Sequence, residues 1–257
     1  MTRVIKVGGR PQLDPALPGA LAAAYAAAPG SLVVVHGGGD EVGTLQRLFG
    51  IEARFHGGRR VTSSLDLEII RMALSGSANK RLVAALNDVG VAALGLSGED
   101  AGLLRATPLD TDRYGHVGSP TMVNVRLLQH LLAGDVLPVI SPVSRHAAVR
   151  DGEPSTLNVN GDDAAAAIAA ALNAEELLLV SDVAGVLVNG VAVDELDADT
   201  AQQLIADGSA TGGMSAKLQA ALAALRGGVE RVRISDITAI ESLDRGTVLT
   251  RVESVCA

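Results

Sequence analysis

Ser31-Leu32-Val33-Val34-Val35-His36-Gly37-Gly38-Gly39-Asp40 is the stretch on which the fold turns. Its apolar run is continuous rather than alternating, the pattern of a strand buried on both faces in a helix-covered parallel sheet. Three glycines follow at once and can expose successive backbone N–H groups as a nest for an anion. A flexible turn is the plainer reading of the same glycines. Asp40 then opens a helical pattern over 40–49, so strand, glycine turn and helix follow without a gap.

Working outward, the same grammar recurs. Strand-like runs lie at 3–7, 91–94, 136–140, 177–181 and 231–234, and helical patterns at 14–28, 64–88, 124–133, 162–172, 197–207 and 213–226. Asp14, Asp40, Ser64, Asn124 and Asp197 stand where N-caps or first-turn acids are favourable. The alternation predicts an α/β fold: a three-layer, open, twisted, mainly parallel sheet with helices on both faces and right-handed crossovers. Stretches 102–118, 147–154 and 186–193 break the rhythm and read as hairpins, the last two from Arg150-Asp151-Gly152 and Asn189-Gly190. A soft boundary near 172–174 divides an expected N-terminal lobe (1–173) from a C-terminal lobe (174–257).

Composition limits the function classes. Hydrophobic residues make up 48% of the 257, yet aromatics only 2%, so Ala, Val and Leu must fill the core. A net charge of -8 disfavours nucleic acid as a bulk partner. Cys256 is the only cysteine, which excludes a disulfide within the chain and fits a reducing cytoplasm; a reactive-thiol role for it is the lesser reading. No secretory leader is visible, and no apolar run approaches the roughly 20 residues of a membrane span.

Chemistry gathers at the ends of the strand-like runs, where ligands bind in open α/β sheets. Lys6-Val7-Gly8-Gly9 offers a charge and two close-approach glycines, or else an ordinary strand–loop junction. Neither GxGxxG nor GxxxxGK[ST] is present, so neither a dinucleotide fold nor a P-loop is indicated. His36 reads as a packed structural histidine. In Gly57-Gly58-Arg59-Arg60-Val61-Thr62 an arginine fork can grip a carboxylate; for Arg59 a solvated turn is preferred. Asn158-Val159-Asn160-Gly161-Asp162-Asp163 sets two amides on one side of a strand and opens an Ala-rich helix, with one of the two aspartates expected to serve the helix N-terminus. Lys217 lies one turn into the helix after Gly212-Gly213, where the dipole disfavours a cation, so function is the better account of it.

In this order the motifs resemble the amino-acid kinase family over essentially the whole chain. The resemblance rests on those segments together with Ala78-Asn79-Lys80, Gly95-Leu96-Ser97-Gly98, Ser181-Asp182-Val183-Ala184-Gly185-Val186 and Gly212-Gly213-Met214. It implies that Lys6 and Lys217 stabilise a transferring phosphoryl group, with Asp162 holding both ammonium groups. It implies that Gly8, Gly9, Gly37 and Gly38 offer N–H groups to phosphates and substrate, and that Arg60 and Asn158 grip the α-carboxylate end of an acyl amino acid. Asp182, Val183, Ala184, Gly185, Val186 and Leu187, with Ser209, Ala210 and Thr211, would border ATP. The implied reaction is phosphorylation of the side-chain carboxylate of N-acetyl-L-glutamate, with Mg2+ held by phosphates and water and no protein metal cluster.

Physical chemistry is consistent with that reaction. A glutamate side chain, with a pKa of about 4.3, is already ionised at neutral pH and needs no general base. Repulsion between carboxylate and polyphosphate is what opposes transfer, and two lysines with glycine amides answer it. Departures from the family pattern are Arg59, which stands where an apolar residue is usual and leaves the gripping arginine ambiguous by one position, and Asp163, which replaces a more usual amide. Rival readings are a kinase for carrier-protein-bound aminoadipate or N-succinylglutamate, and a catalytically silent ligand-binding regulatory domain. Carbamate or uridylate kinases fit Arg60 and Asn158 less well. The apolar stripe Leu65, Ile69, Met72, Ala73 and Gly76 predicts a homodimer. Arginine-inhibited relatives carry a helix ahead of the first strand; the chain starts two residues before its own, so insensitivity to arginine is expected.

Overall fold

The computed structural model describes residues 2–149, 152–188 and 190–250, so Cys256 and the turn residues Arg150, Asp151 and Asn189 lie outside the described residues. In chain order the strands are β1 (Arg3–Val7), β2 (Leu32–His36), β3 (Phe55–His56), β4 (Arg59–Arg60), β5 (Ala93–Gly98), β6 (Leu104–Pro108), β7 (Val117–Val123), β8 (Leu137–His146), β9 (Thr156–Val159), β10 (Glu176–Val180), β11 (Leu187–Val188), β12 (Val191–Ala192), β13 (Glu195–Asp197), β14 (Arg231–Ser235) and β15 (Thr247–Thr250). The helices are α1 (Leu17–Ala27), α2 (Gly39–Leu48), α3 (Ser64–Ile70), α4 (Asn79–Asp88), α5 (Thr111–Tyr114), α6 (Val125–Ala133), α7 (Gly161–Ala171), α8 (Ala198–Ala206) and α9 (Gly212–Arg226).

The main sheet runs β13-β15-β14-β10-β1-β2-β8-β6-β7-β9, with β5 paired to β8. Its centre is parallel: β1 pairs with β10 on one side and β2 on the other. Antiparallel pairs lie toward the flanks, at β14–β15, β6–β7 and β8–β9. The two expected lobes therefore share one sheet, joined by the β1–β10 ladder. Strand pleating explains why Leu32–Val35 of β2 is continuously apolar: Val33 and Val35 enter the core under α6, α7 and α9, whereas Val34 enters the core under α1 and α4.

Several elements differ from their sequence pattern for local reasons. The strand expected at 136–140 continues to His146, because β8 is buried for nearly its whole length and turns from parallel pairing with β2 to antiparallel pairing with β9. The hairpin read at 102–118 is the β6–β7 pair, lengthened to Val123 with α5 set between the strands. The helix over 64–88 carries a π-helical stretch, Arg71–Ala78, at its middle. There Ser77 Oγ donates back to the Ala73 carbonyl (3.2 Å) and Ser75 Oγ leaves the helix for Ser141 Oγ (2.7 Å). Its cap is Ser63 rather than Ser64, closed into a capping box by Asp66. The apolar stripe divides as well: Ile69 and Ala73 are buried, while Leu65 and Met72 remain exposed.

Candidate active site

Three side chains from distant parts of the chain meet where β1, α7 and α9 converge. Lys6 Nζ lies 2.8 Å from Asp162 Oδ1, and Lys217 Nζ lies 3.5 Å from Asp162 Oδ2. Lys6 and Asp162 are buried. Burial works against the Asp162 carboxylate, but the two ammonium groups outweigh it and hold its pKa below the usual range. Burial, reinforced by the charge of Lys6, lowers the pKa of Lys217 against the pull of Asp162. One carboxylate between two cations leaves a centre with net positive charge, suited to charge that develops on a phosphoryl group.

The helix cap in this region is neither aspartate. Asn160 caps α7, its side-chain oxygen accepting from the Asp162 N–H (2.8 Å). Asp163 instead forms an ion pair with Arg59. Burial pushes the Asp163 carboxyl up, with Arg59 opposing. The expectations of a solvated Arg59 and of an aspartate cap on this helix are thereby corrected. The signal was present as two joint departures from the family pattern, an added cation and an added anion.

The glycine loops lie over this centre. Gly8 N–H donates to Val180 O (3.1 Å) and Gly37 N–H to Val7 O (2.9 Å), so these amides extend the sheet rather than face a ligand. Gly9, Gly38 and Gly39 line the pocket beside the lysines. Gly38 has φ 155°, a conformation that L side chains rarely adopt, and a Cβ there would press on Leu74 Cδ2 at 2.7 Å, so a larger residue would be strained. Gln12, which carries no sequence signal, ties the two loops together through Nε2 to Gly37 O (2.7 Å) and Gly8 O (3.2 Å).

His36 is fully buried and braces the loop from beneath. Its Nδ1 lies 2.9 Å from Gly37 O and must carry the proton; its Nε2 then accepts from Asn79 Nδ2 (3.0 Å). Asn79 also donates to Val139 O (2.9 Å), and a Cβ on Gly95 would meet Asn79 Oδ1 at 2.0 Å. The motifs around Asn79 and Gly95 are therefore scaffold. Burial lowers the pKa of His36 to about 4. Below pH 6.5 the unfolded chain binds a proton that the folded chain refuses, so folding weakens until the folded histidine itself titrates. Between pH 6.5 and pH 5 this should cost about 2 kcal/mol. Urea titrations at the two pH values test this, since His36→Gln should flatten the difference; an equal slope in the variant would refute the assignment.

On one side of the lysine pair lies a pocket lined by Gly37, Gly38, Arg60, Asn158 and Asn160, with Val42, Ile70, Leu74 and Pro142 as apolar wall. The β3–β4 hairpin contributes Phe55, Gly58, Arg59 and Arg60 to its lining. Arg60 donates to Gln46 Oε1 and to Gly39 O (3.0 Å) and stacks 4.7 Å over the Phe55 ring. Gln46 is itself buried and donates to Asp66 Oδ1 (2.5 Å), so a chain from α3 through α2 aims the guanidinium. Asn158 donates to Thr62 Oγ1 (3.0 Å). Both arginines border the pocket, but Arg59 is committed to Asp163 and Arg60 is not.

A cleft on the other side is lined by Lys6, Gly8, Gly9, Arg10, Gly39, Asp40, Ser181, Asp182 and Lys217. Lys6, Gly9 and Gly39 border both cavities. Of the proposed nucleotide residues, Gly8, Gly9 and Asp182 line this cleft. Val186 belongs to the core, and its N–H donates to Thr247 Oγ1 (2.7 Å). Gly185 packs on the same threonine, and a Cβ there would stand 2.7 Å from its Oγ1. Ala184 accepts from Ser235 Oγ (3.3 Å), Val183 lies in the same turn, and Leu187 is exposed in β11. Ser209 and Ala210 form the turn ahead of α9, whose N-cap position is Thr211. Among the described residues no group of three or more His, Cys, Asp or Glu could hold a metal ion. The cleft carboxylates Asp40 and Asp182 are both engaged by Arg10, so the donor set suits a cation that arrives on phosphate oxygens.

The sequence profile of the amino acid kinase family matches residues 1–236. The chain belongs to the amino acid kinase family. It is 44% identical over 250 residues to the acetylglutamate kinase of Roseiflexus castenholzii, covering 96% of this chain and 93% of that one. The acetylglutamate kinase of Chloroflexus aurantiacus is 44% identical over 252 residues, 97% of each chain. Among solved structures, smu.665 from Streptococcus mutans superposes with a TM-score of 0.85 at 30% identity over 97% of this chain and 98% of its own. Giardia lamblia carbamate kinase, at 17% identity and TM-score 0.73 over 98% of each chain, shares the fold. The chain is thus a kinase of this family, built on its mixed sheet with helices on both faces. Among the described residues no helix is long and apolar enough to cross a membrane.

Proposed function

We propose that this kinase transfers the γ-phosphoryl group of ATP to the side-chain carboxylate of N-acetyl-L-glutamate, forming the acyl phosphate. The observation that carries the reading is the Lys6–Asp162–Lys217 centre at the junction of two cavities, one with an arginine and asparagines, the other with glycines and cations. Acceptor and donor can approach that junction from opposite sides, as an in-line transfer needs. The carboxylate attacks phosphorus without losing a proton, the bond to the leaving ADP oxygen breaks, and the lysines neutralise the charge shared between the two. Mg2+ held by the nucleotide's phosphate oxygens and water would offset phosphate charge. The 44% identity to acetylglutamate kinases supports N-acetyl-L-glutamate over other acyl amino acids. This reading sets the reaction in the cytoplasm, as a step of arginine biosynthesis.

ADP release across N-acetyl-L-glutamate, N-succinylglutamate, N-acetylaminoadipate and free glutamate tests the substrate. The first should have the highest kcat/KM; preference for a longer acyl group or chain would overturn the choice. In the same assay Arg60→Ala should raise KM for the acyl amino acid by roughly tenfold or more and leave KM for ATP nearly unchanged. A carboxylate grip that does not change along the reaction is uniform binding, and a hydrogen bond between charged groups contributes about 1.5–3 kcal/mol. An unchanged KM would remove Arg60 from the grip.

A homodimer is part of the reading. Leu65 and Met72 are exposed seven residues apart, and Met122 is exposed on β7. Light scattering should give about twice the 26.1 kDa chain mass, and Leu65→Asp with Met72→Asp should halve it. A monomeric unmodified chain counts against the pairing.

A further inference from the structure

Arg10 follows directly on the Gly8-Gly9 turn and borders the cleft with Lys6, Gly9 and Lys217. Its contacts there are two carboxylates from separate elements: Nη1 reaches Asp182 Oδ2 (3.0 Å) beyond β10, and Nε reaches Asp40 Oδ2 (3.4 Å) in the first turn of α2. All three side chains are more than half exposed. The lysine centre keeps its surplus of one positive charge, but at the cleft mouth Arg10 is outnumbered by Asp40 and Asp182, which occupy its guanidinium.

We propose that Arg10 is a phosphate-contacting residue that leaves Asp40 and Asp182 for the polyphosphate of the nucleotide. The proposal rests on the kinase reading and adds a residue to it. Exposed ion pairs contribute little, so releasing the carboxylates costs little. A polyphosphate carries more charge than either carboxylate and matches the guanidinium fork in two-pronged fashion. The guanidinium has five N–H donors, more than two single carboxylate contacts use, so it can make more hydrogen bonds to phosphate oxygens than it gives up. In the resting site the same contacts hold the guanidinium at the cleft mouth, ready for exchange.

Calorimetric titration of the full chain with Mg-ATP, inorganic tripolyphosphate and adenosine tests the proposal. Arg10→Ala should weaken ATP and tripolyphosphate binding about tenfold, the lower end for a hydrogen bond between charged groups, and should change adenosine binding less than twofold. Arg10→Lys should recover part of the loss. Because Arg10 is exposed, the variants should melt like the unmodified chain. Equal ATP affinity in Arg10→Ala overturns the proposal. Equal loss for ATP and adenosine overturns it too, since a strap that merely orders Asp40 and Asp182 would disturb every ligand alike. If the unmodified chain binds Mg-ATP but does not phosphorylate N-acetyl-L-glutamate, the substrate reading fails while the Arg10 comparison is still decided.

Discussion

Lys217→Ala and Asp162→Asn are each expected to lower kcat by roughly 100- to 1000-fold, a loss of about 2.7–4 kcal/mol in transition-state stabilisation by comparison with lost oxyanion donors. Lys217 approaches Asp162 but not as closely as Lys6 does, 3.5 against 2.8 Å, and so is the less tightly held of the two cations. Its removal deletes a charge that matters most when negative charge spreads over the transferring group, so kcat should fall more than KM rises. Asp162→Asn acts differently: it leaves two buried ammonium groups facing each other without a counter-charge. Burial and the neighbouring cation should then favour a neutral lysine, and activity should recover little at any pH. In the unmodified enzyme the lowered pKa of Lys217 predicts loss of activity on the alkaline side, beginning below the range of a free lysine. Asp163→Asn should retain turnover, since Asp163 touches Arg59 and not the lysines. Steady-state rates decide this, with circular dichroism to show that each variant is folded. Turnover of Lys217→Ala within threefold of the unmodified enzyme would sink the role.

Glu176→Ala should be the most destabilising single change in the sheet, by about 3–5 kcal/mol, because it strands buried arginine charge. Glu176 on β10 is 3% exposed and pairs with Arg3 on β1 and with Arg233 and Arg231 on β14, the last two at 2.6 and 3.3 Å. Arg233 is fully buried and also donates to the carbonyls of Ser242 and Arg245 (2.8 Å each) and of Ala239 (3.1 Å). Those carbonyls satisfy its hydrogen bonds but carry no net charge, so the carboxylate is the counter-ion it loses. Burial opposes the Glu176 carboxylate, but Arg233 and its neighbours prevail and lower its pKa. Stability from this group is therefore fully present above the ordinary glutamate range and disappears as pH falls through the lowered value. Urea unfolding at neutral pH measures the effect. Glu68→Gln serves as comparison: it removes a surface partner of Arg71 and should cost no more than about 0.5 kcal/mol. A loss below about 1 kcal/mol in Glu176→Ala would mean that the carbonyls alone hold the arginines.

Much of the scaffold was legible from local pattern. The β2 stretch announced a two-faced strand because the four consecutive apolar residues Leu32–Val35 can be buried only where both sides are covered. The glycines after β1 and β2 announced close approach, and Lys217, set against its helix dipole, stood out as a residue whose partner lies off its own helix, which is Asp162. Capping chemistry was legible at Asn124 and Asp197 and one residue off at Ser64, but not at Asp14, since α1 begins at Leu17 with Ala16 in the cap position. The π-helical stretch inside 64–88 was not, because one extra residue per turn over a single short stretch leaves the helical periodicity of the whole segment nearly unchanged.

What the sequence by itself determined is the order of elements, the strand ends where chemistry gathers and the residue types available there. Propensity, period and capping act over a few neighbours, and that is enough to specify them. Only the tertiary structure decided which charges face each other. Asp162 and Asp163 are adjacent and chemically alike, yet they point to different partners, two lysines for one and Arg59 for the other. Glu176 looks like an ordinary acid at a strand start until β1 and β14 are laid beside β10. Gln12 and Gln46 carry no local signal at all. Their roles arise from burial and from neighbours supplied by sheet pairing, and a buried charge or amide is defined by its partner across space rather than by its neighbours along the chain.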